Sequence, residues 1–356
     1  MGLRRLLGLK RLRPRKTHRK GATKPYSNRT DGFLQSVEDN IRRDFAANDI
    51  AVPSTSLGYA SDIPTSHAIR LYQDGVRTRV EFSDTVQSEY WNAAVARRAA
   101  THLAWFTAAD VDGPVLCDPH DGNRPTMARY RFSVAEGDPN AVAVPDAYFF
   151  HNRGHALMRT EGERAALAWA DRSDRVVWRG RANGNGLLSF DAVHRDNPLT
   201  MQRIRMAWIC RDLGVDFRFT PEPGTEQEAA LMRAGLLGER MLPETWGTMK
   251  LAIDIDGYTC TWDNLLHRML LGCCVLKVES EFAWRQWYYD RMEPWRHFVP
   301  VRADLSDLSE RLDWARTYDD EARAIAEEGQ RFAQSLDVET ERLEAGRIIA
   351  RAEGKV

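Results

Sequence analysis

The sequence predicts an α/β protein built on a parallel sheet. Three observations carry this. From Arg175 onward, short β-forming runs alternate with helical runs, the pattern of strands joined by helical crossovers. Several of those strands break into glycine-rich or charged turns, at the carboxyl ends where parallel sheets bind ligands. A chain of 356 residues suits two cores better than one, at about 100–200 residues per domain.

The elements follow in order. "LQSVEDNIRRDFAAND" reads as a helix, and "HAIRLYQDGVRTRVEF" alternates around Asp74-Gly75 as a hairpin does. "EYWNAAVARRAATHLAWFTA" is a long amphipathic helix, "GPVLCDPHDG" a short strand breaking into an acidic turn, "ARYRFSVA" a strand and "EGERAALAWADR" a helix. The alternation then begins. "RVVWRG", "VDFRFT", "MKLAIDIDG", "CCVLKVES" and "HFVPV" are its strands. "NPLTMQRIRMAWICRDLG", "EQEAALMRAGLLGER", "TWDNLLHRMLLG" and "EFAWRQWYYDRM" are the helices between them. The remainder, from "LSERLDWARTYDD", is charged and helical.

A hydrophobic content of 43% supplies real cores, and 28% charged residues argue against a membrane-embedded protein. No apolar run reaches the roughly 18 residues a bilayer span needs. The start "MGLRRLLGLKRLRPRKTHRK" lacks the uninterrupted apolar stretch of a secretory signal. The five cysteines form no CxxC pair and read as reduced, buried thiols of a cytoplasmic protein. The net charge of -1 conceals an asymmetry: residues 1–30 carry eleven Lys or Arg and no acid, leaving 39 basic against 51 acidic residues in the rest. The body repels polyanions while the arm attracts them. Leucines interleaved with the arm's cations suit an interfacial helix on an anionic membrane, where each basic residue is worth on the order of 1 kcal/mol. A solubilising tail, a nucleic-acid arm and a transit peptide compete with that reading.

The stretch "RVVWRGRANGNG" runs a strand into two arginines and a glycine-rich turn. Gly180, Gly184 and Gly186 allow close backbone approach, and Arg179 and Arg181 match phosphate oxygens with planar forks. A tight turn with solvated arginines is the alternative. The spacing fits neither a dinucleotide fingerprint nor a P-loop. Asp254 and Asp256 form an Asp-x-Asp pattern that could hold Mg or Mn through oxygen. Their alternation with Ile253 and Ile255 favours a turn-shaping or hydroxyl-binding Asp256 instead. Asp118 and Asp121, in "DPHDG", are either a plain turn or a carboxylate able to deprotonate an acceptor hydroxyl. Lys277 and Glu279 end a strand together, to pair with each other or to meet ribose hydroxyls. The aromatic run "WRQWYYDRMEPW" offers a sugar platform, although its helical spacing favours core packing. No GxSxG, HExxH or Cys-His nucleophile pattern is present, and "RYRF" and "MQRIRM" make no nucleic-acid motif.

From "DGYTCTWDN" to "EEGQRF" the chain resembles glycosyltransferase family 90, the group of protein O-glucosyltransferases, fungal capsule-associated xylosyltransferases and bacterial lipopolysaccharide-modifying transferases. The strand ending "WRG", the strand ending "DG", "VLK" and "PW.HFVPV..DLSDL" occur in the family's order between Asp171 and Phe332, in wording similar to the bacterial branch. The resemblance implies a GT-B fold, two Rossmann-like lobes facing across a cleft. Its parts would be a basic arm (1–30), an acceptor-side lobe (31–160), a nucleotide-sugar lobe (161–335) and a helical tail (336–356). It implies inverting transfer of a hexose or pentose, without a metal, from a UDP-sugar to a hydroxyl of a lipopolysaccharide-core, lipid-linked or other glycan acceptor, which the basic arm would place at the cytoplasmic membrane face. A protein O-glycosyltransferase and a non-catalytic nucleotide-sugar-binding protein are the alternatives. Carried over by position, Arg179, Gly180, Arg181 and Arg203 would meet the donor diphosphate. Asp256, Gly257, Thr259 and Thr261 would form its phosphate loop, with Lys277 and Glu279 near the donor. Asp121 would be the general base, with Asp118 in reserve. Animal members carry an arginine soon after this loop, where this chain reads Trp262-Asp263-Asn264. Arg268, Lys277 and Arg181 are the candidates to supply that charge.

Overall fold

The computed structural model describes residues 31–64, 67–84, 91–164 and 166–355, so the basic arm lies outside the described residues. Two α/β lobes face each other across a cleft, on the GT-B plan. The N-terminal lobe packs α1 (Asp31–Ala47) and α2 (Ala93–Ala109) on a six-stranded sheet. Its strands are β1 (Thr55–Ala60), β2 (Ile69–Asp74), β3 (Arg77–Ser83), β4 (Val115–Cys117), β5 (Tyr130–Arg131) and β7 (Val142–Ala143), in the order β1-β3-β2-β4-β5-β7. The expected hairpin is β2–β3, with Gly75 at φ +61° supplying the left-handed backbone its two-residue turn needs. This sheet is mixed: β2 runs antiparallel to β3 and β4, and its other pairs are parallel. Asn92 caps α2 by accepting from the Ala94 and Val95 amides. After α3 (Ala147–His151) and α4 (Ala156–Arg164) the chain enters the C-terminal lobe.

That lobe has a fully parallel sheet of β8 (Val177–Gly180), β9 (Asp216–Phe219), β10 (Leu251–Asp254), β11 (Cys274–Val278) and β13 (Val299–Val301). Both faces are covered, so successive residues of β10 feed opposite cores. Leu251 and Ile253 join α5 (Gln202–Asp212), α8 (Leu308–Thr317) and α9 (Asp319–Ser335), while Ala252 joins α7 (Asn264–Leu270). Helix α6 (Glu226–Arg233) completes the crossovers. The strand order is β13-β11-β10-β8-β9. In order of appearance this is 5-4-3-1-2, the flavodoxin-like order, whose switch point lies between the first and third strands. Here those are β8 and β10, the strands that end in "WRG" and "DIDG".

Two predicted helices fail for tertiary reasons. "EGERAALAWADR" is helical only to Arg164; beyond it the Leu167 amide bonds to the Gly247 carbonyl, and a single 3₁₀ turn spans Trp169–Asp171. "EFAWRQWYYDRM" is no helix. Its Trp284–Arg285 forms β12, which pairs antiparallel with β6 (Val134–Ala135) of the other lobe, and only Tyr289–Arg291 makes a 3₁₀ turn. Backbone pairing across the lobes outweighs the local period.

The lobes are joined again by α10 (Val338–Ala352), which the sequence reading sets apart as a tail. It returns to α2, and Ala345 and Ile349 enter the N-terminal core. Gly346 permits the crossing, since a Cβ there would stand 2.6 Å from the Ala108 carbonyl carbon. Arg159 fixes where α10 starts, donating at 2.7 Å and 3.1 Å to the carbonyls of Gln334 and Ala333 and also to Leu336 at the end of α9. All five cysteines are buried and free. No helix of the described residues is long and apolar enough to cross a membrane. Gly346→Ala is expected to lower unfolding free energy by about 1–3 kcal/mol, read as a lower urea midpoint with an unchanged slope.

Candidate functional site

At the switch point lies a cleft of 560 Å³ walled by both lobes. From the C-terminal lobe come the end of β8 and the loop from Gly257 to Asn264; from the N-terminal lobe come Arg98, Asp121 and Tyr148. Of the predicted residues, Asp121, Arg179, Gly180, Arg181, Arg203, Gly257, Thr259 and Thr261 border this one space.

The buried cation of the cleft is Arg203. It leaves the first turn of α5 at 8% exposure and donates to the carbonyls of Arg181 at 3.1 Å and Ile255 at 2.9 Å, and to the Asn183 side chain. Its guanidinium lies 5.2 Å above the Trp178 ring. No carboxylate stands within salt-bridge distance among the described residues, and Nε has no partner. Burial pulls its pKa down to about 10, so the group remains charged near neutrality. A buried cation held by neutral dipoles is costly unless an anion completes it.

Arg179 borders the cleft but is largely engaged by the fold. Its guanidinium donates to the carbonyls of Glu239, Trp178 and Asp216 and, at 2.8 Å, to the Asp216 carboxylate on β9. Four of its five N–H groups are thereby spent on the fold. Gly180 is required by Trp178, whose indole would stand 2.5 Å from an added Cβ. Arg181 is the more available neighbour; its side chain is 59% exposed and pairs with Glu222 at 3.2 Å.

In the facing loop, Gly257 donates to the Thr259 carbonyl at 2.9 Å, and its missing side chain leaves room for Arg203 and Asn183. The amides from Tyr258 to Asp263 find no acceptor among the described residues. Thr261 does not offer its hydroxyl to the cleft but donates it to Asp254 at 2.5 Å. Asp254 is fully buried, also accepts from Asn264 at 3.0 Å and faces Lys277 at 3.7 Å, so it anchors the loop. Asp256 is buried beside the cleft, with its pKa raised by desolvation and Oδ2 unpartnered. Among the described residues no three His, Cys, Asp or Glu lie close enough to share an ion. Lys277 and Glu279 border a neighbouring pocket instead. Arg268 is buried against Trp246, 3.5 Å from the ring. Of the three cations considered for the missing arginine, only Arg181 lines the cleft.

On the opposite wall the two aspartates separate. Asp118 is 2% exposed; Oδ1 accepts from the His120 amide at 2.8 Å, and desolvation raises its pKa. It shapes the turn and does not border the cleft. Asp121 does, and Arg98 donates to its Oδ1 at 3.1 Å and to the Pro119 carbonyl at 3.0 Å. Arg98 also lies 4.3 Å from the ring of Trp262. That tryptophan belongs to the C-terminal loop yet packs into the N-terminal core beside Phe132 and Tyr148. Sequence reasoning missed both residues: Arg98 is one of many cations on an amphipathic helix, and Trp262 carries no local signal of crossing between lobes.

The chain belongs to Glycosyl transferase family 90, whose model matches residues 154–343. The match covers the C-terminal wall of the cleft and leaves Arg98 and Asp121 outside it. Over 205 residues the chain is 30% identical to protein O-glucosyltransferase 3 of Homo sapiens, covering 56% of this chain and 36% of that protein. Over 190 residues it is 28% identical to the uncharacterized protein 035R of Invertebrate iridescent virus 3, covering 48% and 16%. The matched segments are thus little more than a third, or less, of these relatives' lengths. Among solved structures, a glycosyltransferase from Rickettsia africae ESF-5 aligns with a TM-score of 0.40 at 9% identity, over 92% of this chain and 84% of that one.

Behind the cleft, Asp146 caps α3 through Oδ1, accepting from the Tyr148 and Phe149 amides, while Oδ2 is unpartnered. Complete burial pushes its pKa up to about 8. Between about pH 4 and pH 8 only the unfolded chain releases this proton, so its contribution to stability falls as pH rises through that window. Asp146→Asn keeps the cap and removes the titration. Relative to wild type, the variant should gain more than about 1 kcal/mol in unfolding free energy between about pH 5 and pH 8, measured by urea denaturation.

Proposed function

We propose that the protein is an inverting glycosyltransferase that moves a sugar from a UDP-sugar to a hydroxyl of a glycan acceptor. The observation that carries this is Arg203, a buried cation without a carboxylate, set at the switch point opposite a carboxylate of the other lobe. The donor diphosphate completes Arg203 and meets Arg181 and the unpartnered amides of the Tyr258–Asp263 loop. Asp121, held by Arg98, takes the proton of the acceptor hydroxyl. The acceptor oxygen then bonds to the anomeric carbon as the bond to the diphosphate oxygen breaks on the opposite face. Charge growing on the leaving UDP is stabilised by cation and amides already in place, so little reorganisation is required. No step is assigned to a metal.

The basic arm supports an acceptor presented at an anionic membrane surface on the cytoplasmic side, such as a lipid-linked or lipopolysaccharide-core glycan. A protein hydroxyl is the second reading, favoured by the matched relative's name. Transfer to lipid-linked glycan that is lost on removing residues 1–30 supports the first, and transfer to a peptide serine the second.

UDP, GDP, ADP and CMP are expected to separate in a thermal-shift panel, with UDP alone raising the melting temperature, with or without EDTA. At a hundredfold excess over Kd the gain is about 2.7 kcal/mol. A shift abolished by EDTA overturns the metal-free site, and no UDP shift overturns the donor. Arg203→Met should lose the UDP shift. Arg179→Met should keep it while costing about 1–3 kcal/mol of stability. Asp121→Asn should bind UDP as before and lose transfer by at least about a hundredfold; unchanged turnover removes Asp121 from the mechanism. If wild type binds UDP-sugars yet transfers to none of the acceptors, the non-catalytic alternative holds.

A further inference from the structure

The aromatic run that begins at Trp284 has no part in the diphosphate cleft. Because β12 pairs with β6, the run is opened rather than coiled, and it walls a cavity of 500 Å³ at the carboxyl end of β11 and beside Pro300 of β13. Trp284, Tyr289, Trp295 and Phe298 supply apolar surface. Glu136 of the N-terminal lobe, Lys277, Glu279 and Arg285 supply charge.

Several features go beyond core packing. Trp295 stays 42% exposed although its indole is fixed edge-on to Trp314, with ring centroids 4.9 Å apart, and lies 5.0 Å from the Arg311 guanidinium. Its backbone is left-handed at φ +64°, and that of Ala283, also on the wall, at φ +53°. Such conformations cost energy for L side chains and persist where the surroundings hold them, often around ligands. The Trp284 Nε1 donor is buried without a partner, and the carboxylate of the exposed Glu279 makes no hydrogen bond among the described residues. Lys277 is held beneath, 4.4 Å from the Tyr289 ring.

Aromatic faces beside an unpartnered N–H and an open carboxylate suit a pyranose, which has apolar C–H faces and a rim of hydroxyls. The volume is in the range of about 300–1,000 Å³ typical of small-molecule pockets. The pocket also adjoins the cleft. Arg203 and Gly257 border both the cleft and a narrow gap, and Ser280 and Trp284 border both that gap and the pocket.

We propose that this pocket is a saccharide subsite, holding a pyranose ring of the acceptor glycan while the cleft holds the nucleotide. The assignment of that ring to the acceptor rests on the transferase reading above; the saccharide site itself does not. Methyl β-D-glucopyranoside, methyl β-D-xylopyranoside and methyl α-D-mannopyranoside serve as probes of the full chain saturated with UDP, read by saturation-transfer NMR and tryptophan fluorescence. At least one should bind saturably with UDP still in place. Trp295→Ala should weaken it by about tenfold or more, and Glu279→Gln by severalfold, with UDP affinity unchanged in both. Glu279→Gln, an isosteric change at an exposed position, remains decisive if Trp295→Ala does not fold. Absence of binding by all three glycosides, displacement by UDP, or binding unaltered in Glu279→Gln overturns the subsite. Glycoside binding by a protein that fails to bind UDP leaves the subsite standing and overturns the donor reading instead.

Discussion

The interaction on which the rest of the site depends is the burial of the Arg203 guanidinium between two loops that leave adjacent parallel strands. One loop follows β8 and supplies the Arg181 carbonyl and Asn183; the other follows β10 and supplies the Ile255 carbonyl. Neutral oxygens replace part of the lost hydration, and no carboxylate cancels the charge. The loops are thereby fixed around a positive centre that the nearby Asp256 and Asp254 offset without pairing with it. Gly257 and Gly180 serve the same arrangement, the first by leaving space beside the guanidinium and the second by accepting the Trp178 ring beneath it.

Around that centre the two lobes are tied at separate places. Strand β12 pairs with β6, α10 crosses α2, and Trp262 enters the N-terminal core. These ties bring Asp121 and Arg98 to the wall opposite Arg203. Trp262 also lies 4.3 Å from the Arg98 guanidinium. Arg98 in turn donates to Asp121, so the loop tryptophan and the candidate base share one cation.

Much of the C-terminal lobe was legible in the sequence, because buried parallel strands alternating with helices leave a strong periodic trace. "MKLAIDIDG" and "CCVLKVES" are such cases. The run "EFAWRQWYYDRM" misled, since its apolar spacing fits a helix equally well until a partner strand is known. At the site, the turn after β8 was singled out by residue type, whereas Arg203 and the "DG" loop as a phosphate loop entered only through the family resemblance. The resemblance ranked Asp121 ahead of Asp118, but both sit in one short acidic turn, and what buries one and leaves the other on the cleft is packing that the turn's own residues do not encode. Arg98 gave no signal, being a cation on a helix that carries several.

By itself the sequence determined the strand and helix alternation of the C-terminal lobe, the two turns at its switch point and the presence of a buried-thiol interior. These follow from local propensity and period, which each segment carries within it. The tertiary structure decided which groups each charge would face. Arg179 and Arg203 are both arginines near the end of one βα unit. One lies beside β9, where it pairs with the Asp216 carboxylate, and the other lies between two loops, where among the described residues no carboxylate comes within salt-bridge distance. The partner of a guanidinium depends on which strand folds next to it, and that is a property of long-range packing.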